Sequence, residues 1–343
     1  MRAGFRIELA SGEAFTCAPG DTVLGAGLRH GLGLAYECNA GACGSCKLEL
    51  LAGTVHEVYP DAPGLRPKER EKGKRLACQC VPLEDLRIKM RTGADYVPAI
   101  APSRRTARLV ARRAVTHDLM ELTFETDDAA RFLPGQYALL HLAAPIATRA
   151  YSMSNVPGAA GAAGEGRWQF IVRRVPGGLV SARLCDEFTP GATLELDAPY
   201  GIAHYRAGVM RPIVCVAGGS GLAPMLAIVR ELAARAEAPP AFLFYGGRSA
   251  RDVPDLAAEI GAADPARTAI SAVVSMPGLA SEEHPLTLPT GLVHEHLARS
   301  LPGAFAAYEY YLAGPPPMIE ACVRMLVADH GVPPTQIHFD RFF

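Results

Sequence analysis

The sequence lacks a dominant charge, an export signal and an internal repeat, and the first two absences narrow its possible functions. Its formal net charge is −1 at pH 7, so no overall electrostatic field attracts the chain to nucleic acid or to an anionic membrane. The chain does not open with a basic segment, an apolar stretch and a small-residue cleavage site, so we expect a cytoplasmic protein. In that compartment its nine cysteines indicate thiolate chemistry rather than disulfides.

An uninterrupted apolar run that could cross a membrane is also lacking. The longest uncharged stretch, residues 212–229, is long enough for such a span. Three glycines and a proline interrupt its centre: Gly218, Gly219, Gly221 and Pro224. A buried strand, a tight loop and a helix explain this pattern better, and we expect no membrane partner.

The residues that are present predict a folded protein of two or three domains, since 49% of the 343 residues are hydrophobic and 20% are charged. Short alternating segments in residues 1–95 predict a small α+β domain, and proline-containing residues 96–103 predict a linker. Closely spaced strands in residues 104–208 predict an antiparallel β-barrel. Buried apolar runs that alternate with helices in residues 209–343 predict an α/β domain with a parallel sheet of the dinucleotide-binding kind.

Three cysteines lie within nine positions of the first domain. Cys38, Cys43 and Cys46 have the plant-type spacing of a [2Fe–2S] cluster. Small residues fill the loop between them, so its backbone can wrap closely and direct N–H groups towards sulfur. The fourth ligand must be Cys78 or Cys80, and we predict Cys78 because the preceding apolar pair would anchor it in the core.

Zinc is the alternative metal, because it also binds four thiolates. Structural zinc sites usually have two short Cys-x2–4-Cys knuckles, whereas this chain has three candidate ligands in one loop and a distant fourth. The pattern therefore favours the iron–sulfur cluster. The other cysteines are expected to be buried structural thiols: Cys17, Cys80, Cys185, Cys215 and Cys322.

Three stretches of the second segment resemble the flavin-binding motifs of the ferredoxin–NADP reductase superfamily. They are "PGQY" at 134–137, "RAYSMSN" at 149–155 and "RRVPGGLVS" at 173–181. Each is weak alone, but their order and intervals match the superfamily on a predicted barrel. The resemblance therefore predicts a flavin site.

The chemistry of these residues suits a bound flavin. Arg149 can neutralise a pyrophosphate, and Tyr151 offers a ring to cover the isoalloxazine. Ser152 is the predicted catalytic residue, because it could hydrogen-bond flavin N5, where hydride arrives. Glycines in the following loop would let the chain approach the phosphates at a helix start. The further predicted flavin contacts are Ile171, Val172, Gly177, Gly178, Val180 and Ser181.

Three stretches of the last segment predict a nicotinamide nucleotide site. "AGGSGLAPM" at 217–225 follows a predicted buried strand and opens a helix, as a phosphate-binding glycine loop must. "YGGRS" at 245–249 ends the next strand, where the superfamily places ribose contacts, and "AGPPPM" at 313–318 resembles its Cys-Gly-x-x-x-Met nicotinamide loop. The predicted contacts are Gly218, Gly219, Ser220, Gly221, Tyr245, Gly246, Arg248, Gly314, Pro315 and Met318.

The nicotinamide loop departs from the superfamily pattern at one position. Ala313 stands where the family has cysteine, so hydride transfer is expected to be slower or differently oriented. Gly314 and Met318 are kept, so nicotinamide is still expected to bind. The resemblance also predicts that the near-terminal aromatic Phe342 lies against the flavin ring. No dense cluster of basic and serine residues surrounds Arg248 to bind a 2′-phosphate, which favours NADH over NADPH.

The whole chain resembles the NADH-dependent reductases of bacterial aromatic-ring dioxygenases and multicomponent monooxygenases. The resemblance implies a β-grasp plant-type ferredoxin, an FAD barrel and an NAD domain in that order. Electrons would pass from NADH through FAD and [2Fe–2S] to an oxygenase or hydroxylase component, or to an intermediary ferredoxin. Two alternatives stay open: the same electron chain serving another acceptor, such as a deoxysugar dehydratase, and a non-catalytic redox sensor, which Ala313 alone favours.

Overall fold

The computed structural model describes residues 3–143, 146–158, 166–261, 264–276 and 288–343. The chain forms two compact units. The first comprises Met1–Arg104 with Thr148–Ala150 and Asp197–Ile202, and the second contains the remaining residues.

The ferredoxin-like part of the first unit is a mixed sheet with one packed helix. Its elements are β1 (Phe5–Leu9), β2 (Ala14–Cys17), α1 (Val23–Arg29), β3 (Lys47–Ala52), β4 (Val55–Glu57), α2 (Pro67–Glu71), β5 (Lys74–Leu76), β6 (Cys80–Pro82) and β7 (Leu86–Met90). The main sheet has the order β2-β1-β7-β3-β5, with β1 parallel to β7 and the other neighbouring pairs antiparallel. This is the predicted β-grasp topology.

Helix α1 has a side-chain cap at its N-terminus and is mostly buried. The Thr22 hydroxyl caps it by accepting from the Gly25 amide at 3.1 Å. Its first six residues are buried, among them Leu24 and Leu28 with no exposed surface. Helix α2 was not predicted, because a proline and four charged residues carry no apolar period.

A buried ion-pair network ties α1 to the segment 197–202 within the first unit. Arg29 pairs with Asp21 and with Asp197, each at 2.8 Å, and the Asp197 side chain is 1% exposed. The Tyr36 hydroxyl accepts from the Gly201 amide at 2.9 Å. Arg104 pairs with the same two acids, at 2.8 Å and 3.3 Å, so two arginines compensate the buried negative charge.

Six strands build the barrel-like sheet that the sequence predicts. The elements are β8 (Ser103–Ala114), β9 (Leu119–Glu125), β10 (Tyr137–Ala143), β11 (Ile146–Ser152), β12 (Arg167–Arg173), α3 (Ser181–Asp186) and β13 (Thr193–Tyr200). The strand order is β11-β10-β13-β8-β9-β12. Met153, directly after β11, forms an isolated bridge with Phe170 of β12, so the two end strands meet. Phe124, Trp168 and Phe170 fill the interior with no exposed surface.

The last part of the second unit is a parallel sheet flanked by helices. Its elements are β14 (Ile213–Gly218), α4 (Leu222–Ala234), β15 (Ala241–Gly247), α5 (Leu256–Ile260), β16 (Thr268–Val274), α6 (Val293–Ser300), β17 (Glu309–Gly314), α7 (Pro316–Arg324) and β18 (Ile337–Arg341).

The sheet order β16-β15-β14-β17-β18 reverses direction between β14 and β17. All four neighbouring pairs are parallel. The carboxyl ends of the two strands at such a reversal form the crevice where open α/β sheets bind ligands. Residues 212–229, which raised the membrane question, form β14, a short turn and α4 here. Across the described residues, no helix has the length and apolar character to span a membrane.

Candidate redox sites

The four predicted iron ligands come together as two contacting pairs of thiols. Cys46 Sγ lies 3.4 Å from Cys78 Sγ, and the Cys38 thiol is hydrogen-bonded to that of Cys43. Cys46 and Cys78 are buried, whereas Cys38 and Cys43 are half-buried. Cys80 lies in β6 opposite Glu57, and burial raises its pKa to about 12.

Backbone amides of the loop point at these sulfurs, as the sequence predicts. The amides of Ala40 and Cys43 each lie 3.4 Å from Cys38 Sγ, and the Ser45 amide lies 3.4 Å from Cys43 Sγ. The hydrogen bond from the Cys38 thiol, together with the Ser45 amide, lowers the pKa of Cys43 to about 6, and the same hydrogen bond raises the pKa of Cys38. Thiolate is the form that binds metal, and Cys43 is the more readily deprotonated thiol of this pair.

Two residues that support the loop were not predicted. A Cβ on Gly64 would lie 2.7 Å from the Gly41 carbonyl oxygen and 2.8 Å from the Gly44 nitrogen, so only glycine fits there. The Gln79 side chain donates to Cys78 Sγ at 3.3 Å. Neither belongs to the Cys-x4-Cys-x2-Cys pattern, so local spacing gave no signal for them. Thiolate donors inside a cradle that one methyl group would fill suit a [2Fe–2S] cluster.

The predicted flavin residues of β11 alternate along one strand. Arg149 and Tyr151 share one face of the strand, and Ser152 lies on the other, because side chains alternate along β-strands. Ser152 is 5% exposed. The Arg149 guanidinium is exposed and donates to the Thr148 carbonyl at 2.8 Å, which leaves most of its donors available to an anion.

The loop after β12 has the tight backbone that phosphate approach requires. Gly177 has a φ of +72°, and a Cβ on Gly178 would lie 2.5 Å from Ser181 Oγ. That hydroxyl accepts from the Val175 amide at 3.3 Å, and α3 begins at Ser181. Three other predicted residues are buried, each at most 2% exposed: Ile171, Val172 and Val180.

The glycine loop after β14 interlocks with the loop after β17. A Cβ on Gly221 would lie 2.1 Å from the Ala313 carbonyl oxygen, and one on Gly218 would lie 2.6 Å from Met318 Sδ. Gly314 has a φ of +150°. The two loops can approach this closely only because they carry glycine.

A cavity of about 350 Å³ opens at these strand ends. Tyr245 anchors it by donating to the Asp252 carbonyl at 3.0 Å. Of the predicted residues, the cavity is lined by Gly218, Gly219, Tyr245, Gly246, Arg248, Pro315 and Met318. The predicted residues Ser220, Gly221 and Gly314 shape the loops beside it instead.

Several residues that line the cavity were not predicted from the sequence. Asp118 and Arg173, which form an ion pair at 2.9 Å, come from the barrel strands. Asp252 comes from the segment after β15, and His294 lies in the first turn of α6. Only tertiary packing brings these segments to the same cavity, so no local motif could predict them.

Ala313 begins the nicotinamide loop, and Phe342 is hydrogen-bonded to that loop. Ala313 is fully buried and pairs with Ala217 across β14 and β17. The Phe342 amide donates to the Gly314 carbonyl at 2.9 Å, and its ring packs partly buried against the core that contains Ile171 and Ala313. The predicted contact of Phe342 with flavin stays a prediction.

Comparison with known proteins agrees with these three sites. Three family profiles match: "2Fe-2S iron-sulfur cluster binding domain" over residues 7–83, "Oxidoreductase FAD-binding domain" over 106–205 and "Oxidoreductase NAD-binding domain" over 215–324. The chain therefore has domains for all three predicted cofactors.

Full-length relatives have the same organisation. The ferredoxin–NAD(P)(+) reductase CarAd of Metapseudomonas resinovorans is 42% identical, covering 99% of this chain and 100% of its own. The ferredoxin–NAD(+) reductase component of the alkene monooxygenase system of Xanthobacter autotrophicus is 37% identical, covering 98% and 100%. The solved ferredoxin reductase in carbazole 1,9a-dioxygenase superposes with a TM-score of 0.90 at 39% identity, covering 99% and 98%. The chain thus belongs to the ferredoxin–NAD(P)(+) reductase family, oxidoreductases that combine a [2Fe–2S] domain with FAD- and NAD-binding domains.

Proposed function

We propose that this reductase takes electrons from NADH and delivers them singly to the oxygenase or hydroxylase component of an aromatic or hydrocarbon oxidation system, directly or through a separate ferredoxin. Several relatives are named as reductase components of such dioxygenase and monooxygenase systems. The observation that carries the proposal is the thiol cradle, where Cys46 and Cys78 are in contact and N–H groups face the sulfurs. A one-electron centre on a nicotinamide-dependent chain is needed only if the acceptor takes electrons one at a time.

The chain's own residues would position the cofactors and exclude water. When bound, the flavin accepts hydride from NADH and releases its electrons singly, which the cluster then carries. Ser152, buried at the end of β11, is the residue we propose to hydrogen-bond the flavin N5. Gly218 and Met318 would hold the nicotinamide at the crevice, and Arg149 would neutralise a flavin phosphate.

The functional domains of this proposal keep the limits predicted from the sequence: 1–95, a linker at 96–103, 104–208 and 209–343. We place the activity in the cytoplasm, where all nine cysteines, which are free thiols here, would stay reduced.

An anaerobic titration of the purified protein with NADH tests the proposal. We expect the flavin absorbance to bleach and a [2Fe–2S] EPR signal to appear as NADH is added. Cys78→Ser should abolish or alter that EPR signal, and Cys80→Ser, the matched control, should leave it unchanged. A colourless protein that carries zinc, or a flavin that NADH does not reduce, would refute the proposal.

A further inference from the structure

A surface beside the cluster loop has a charge opposite to that of the rest of the chain. Residues 61–75 contain six basic and three acidic side chains, a net charge of +3. The whole chain has −1, so the remaining residues sum to −4. Such a local concentration of one sign steers the approach of an oppositely charged macromolecule.

The backbone holds this segment against the iron-ligating loop. The Gly64 amide donates to the Gly41 carbonyl at 2.9 Å, and Lys47, next to Cys46, pairs with Glu69 of α2 at 2.9 Å. The segment then continues through β5 to Cys78. It is therefore fixed to the cluster loop at one end and leads into the proposed fourth ligand at the other.

Three cations of this segment are exposed and available. Arg66, Lys68 and Lys72 are exposed, and none of them takes part in an ion pair among the described residues. Arg70 and Arg75 differ, because both pair with Glu57. Cations that are already paired contribute little to an external field, so the three exposed residues, here named the basic strip, carry the charge.

An apolar patch adjoins the basic strip. Val58 is 57% exposed and Tyr59 47% exposed, and Arg70 of α2 donates to the carbonyl of Pro60 next to them. The Val58 amide donates to the Gln79 carbonyl at 2.9 Å, one residue from Cys78. An exposed tyrosine and valine beside unpaired cations match the usual interface pattern of an apolar centre with a charged rim.

Resting on the proposed function, we infer that Val58, Tyr59 and the basic strip form the docking face for the electron acceptor, a protein with an acidic surface around its own redox centre. The half-exposed Cys43 and the exposed Ser45 lie at the outer edge of the cluster loop, so a partner on this face approaches the loop. Asp61 and Glu71 are the exposed acids of the same segment, and they reduce the positive charge without reversing it.

Two one-electron acceptor proteins of opposite charge, cytochrome b5 (acidic) and cytochrome c (basic), test the inference in the full-length holoenzyme. Arg66→Glu/Lys68→Glu places acids in the first turn of α2, where the helix dipole tolerates them. At low ionic strength we expect kcat/KM for cytochrome b5 to fall about tenfold and that for cytochrome c to rise. Raising the salt concentration should slow the unchanged protein with cytochrome b5 only. Arg87→Glu, an exposed strand β7 residue, is the matched control and should leave both rates near those of the unchanged protein.

Equal responses of Arg66→Glu/Lys68→Glu and Arg87→Glu with both cytochromes would overturn the docking face. If the double reversal loses its cluster absorbance, Arg66→Gln/Lys68→Gln and the salt titration of the unchanged protein decide by the same criterion. Reduction of a small dye by NADH at the flavin should be unaffected throughout. An unchanged protein that reduces neither cytochrome would count against the proposed function instead, so the two failures are distinguishable.

Discussion

The cluster site and the nucleotide cavity are built in different ways. Three of the four thiols come from one loop of nine residues, and the fourth lies 32 positions after Cys46, between β5 and β6 of the same unit. The cavity takes residues from the turn before β9, from the ends of β12, β14 and β15 and from the segment after β17, so that Asp118 and Met318 line it together although they are 200 positions apart. A site built from a short stretch of sequence can be predicted from its motif. For a site built by long-range packing, the sequence predicts the glycine loops but not the other residues that line it.

The largest effect is expected from a substitution that disrupts the nucleotide cavity and leaves the cluster intact. Gly221→Ala places a Cβ 2.1 Å from the Ala313 carbonyl oxygen, so the two loops must separate. A displacement of about 1 Å at a site of hydride transfer can cost about a hundredfold in rate. Stopped-flow reduction of the flavin by NADH should slow by about that factor. Gly208→Ala, where a Cβ meets nothing within 4 Å, is the control; equal slowing in both variants would contradict the prediction.

The converse change breaks the cluster site and leaves hydride transfer intact. Gly64→Ala puts a Cβ 2.7 Å from the Gly41 carbonyl oxygen, and such overpacking costs about 1–3 kcal/mol. We expect the iron content and cluster absorbance to fall severalfold while NADH still bleaches the flavin. Gly93→Ala should retain its iron, since a Cβ there makes only ordinary contacts at 3.4 Å and beyond. Full iron content in Gly64→Ala would show that the cradle tolerates displacement.

A smaller effect is expected from a substitution that removes one hydrogen bond to a ligating sulfur. The Gln79 side chain donates to Cys78 Sγ, and a donor to a ligating sulfur stabilises the extra negative charge of the reduced cluster. Gln79→Leu should therefore lower the cluster midpoint potential by tens of millivolts, since about 1.4 kcal/mol corresponds to about 59 mV for one electron. A redox titration followed by EPR measures this; an unchanged potential would assign Gln79 to packing alone.

The smallest effect concerns the second unit and depends on pH. Burial lowers the pKa of His204 and of His338, although the hydrogen bond from His338 to Glu309 opposes the shift. Below the ordinary histidine pKa of about 6.5, the unfolded chain binds protons that the folded chain does not. Stability should therefore fall as the pH drops from 6.5 towards the lowered values.

The melting temperature of the holoenzyme between pH 7.5 and 5.5 checks this sign. His338→Gln keeps a donor for Glu309 but cannot titrate, so it should reduce the slope. A variant whose melting profile stays parallel to that of the unchanged protein would exclude His338 as a source of the pH dependence.

The sequence predicted those features that depend on short-range pattern. The Cys38–Cys43–Cys46 spacing and the glycine turn after β14 each depend on a few adjacent residues. Gly64 was not predicted because its role depends on a backbone approach across the fold, and Gln79 was not predicted because the cysteine spacing does not include a side-chain donor beside a ligand. Asp118 and Arg173 escaped because only the packing of barrel strands beside the parallel sheet brings them to the cavity.

The Arg29 network has a practical consequence for dividing the protein into pieces. A fragment cut at the proline-containing linker would contain Arg29, Asp21 and Tyr36 but would lose Asp197 and the Gly201 amide, their partners within the same compact unit. Such a fragment would keep the pair of Arg29 with Asp21, but it would present to water the side of Arg29 that faces Asp197 and the Tyr36 hydroxyl. The proline-containing linker is therefore not a position at which the protein can be cut without losing contacts of its first compact unit.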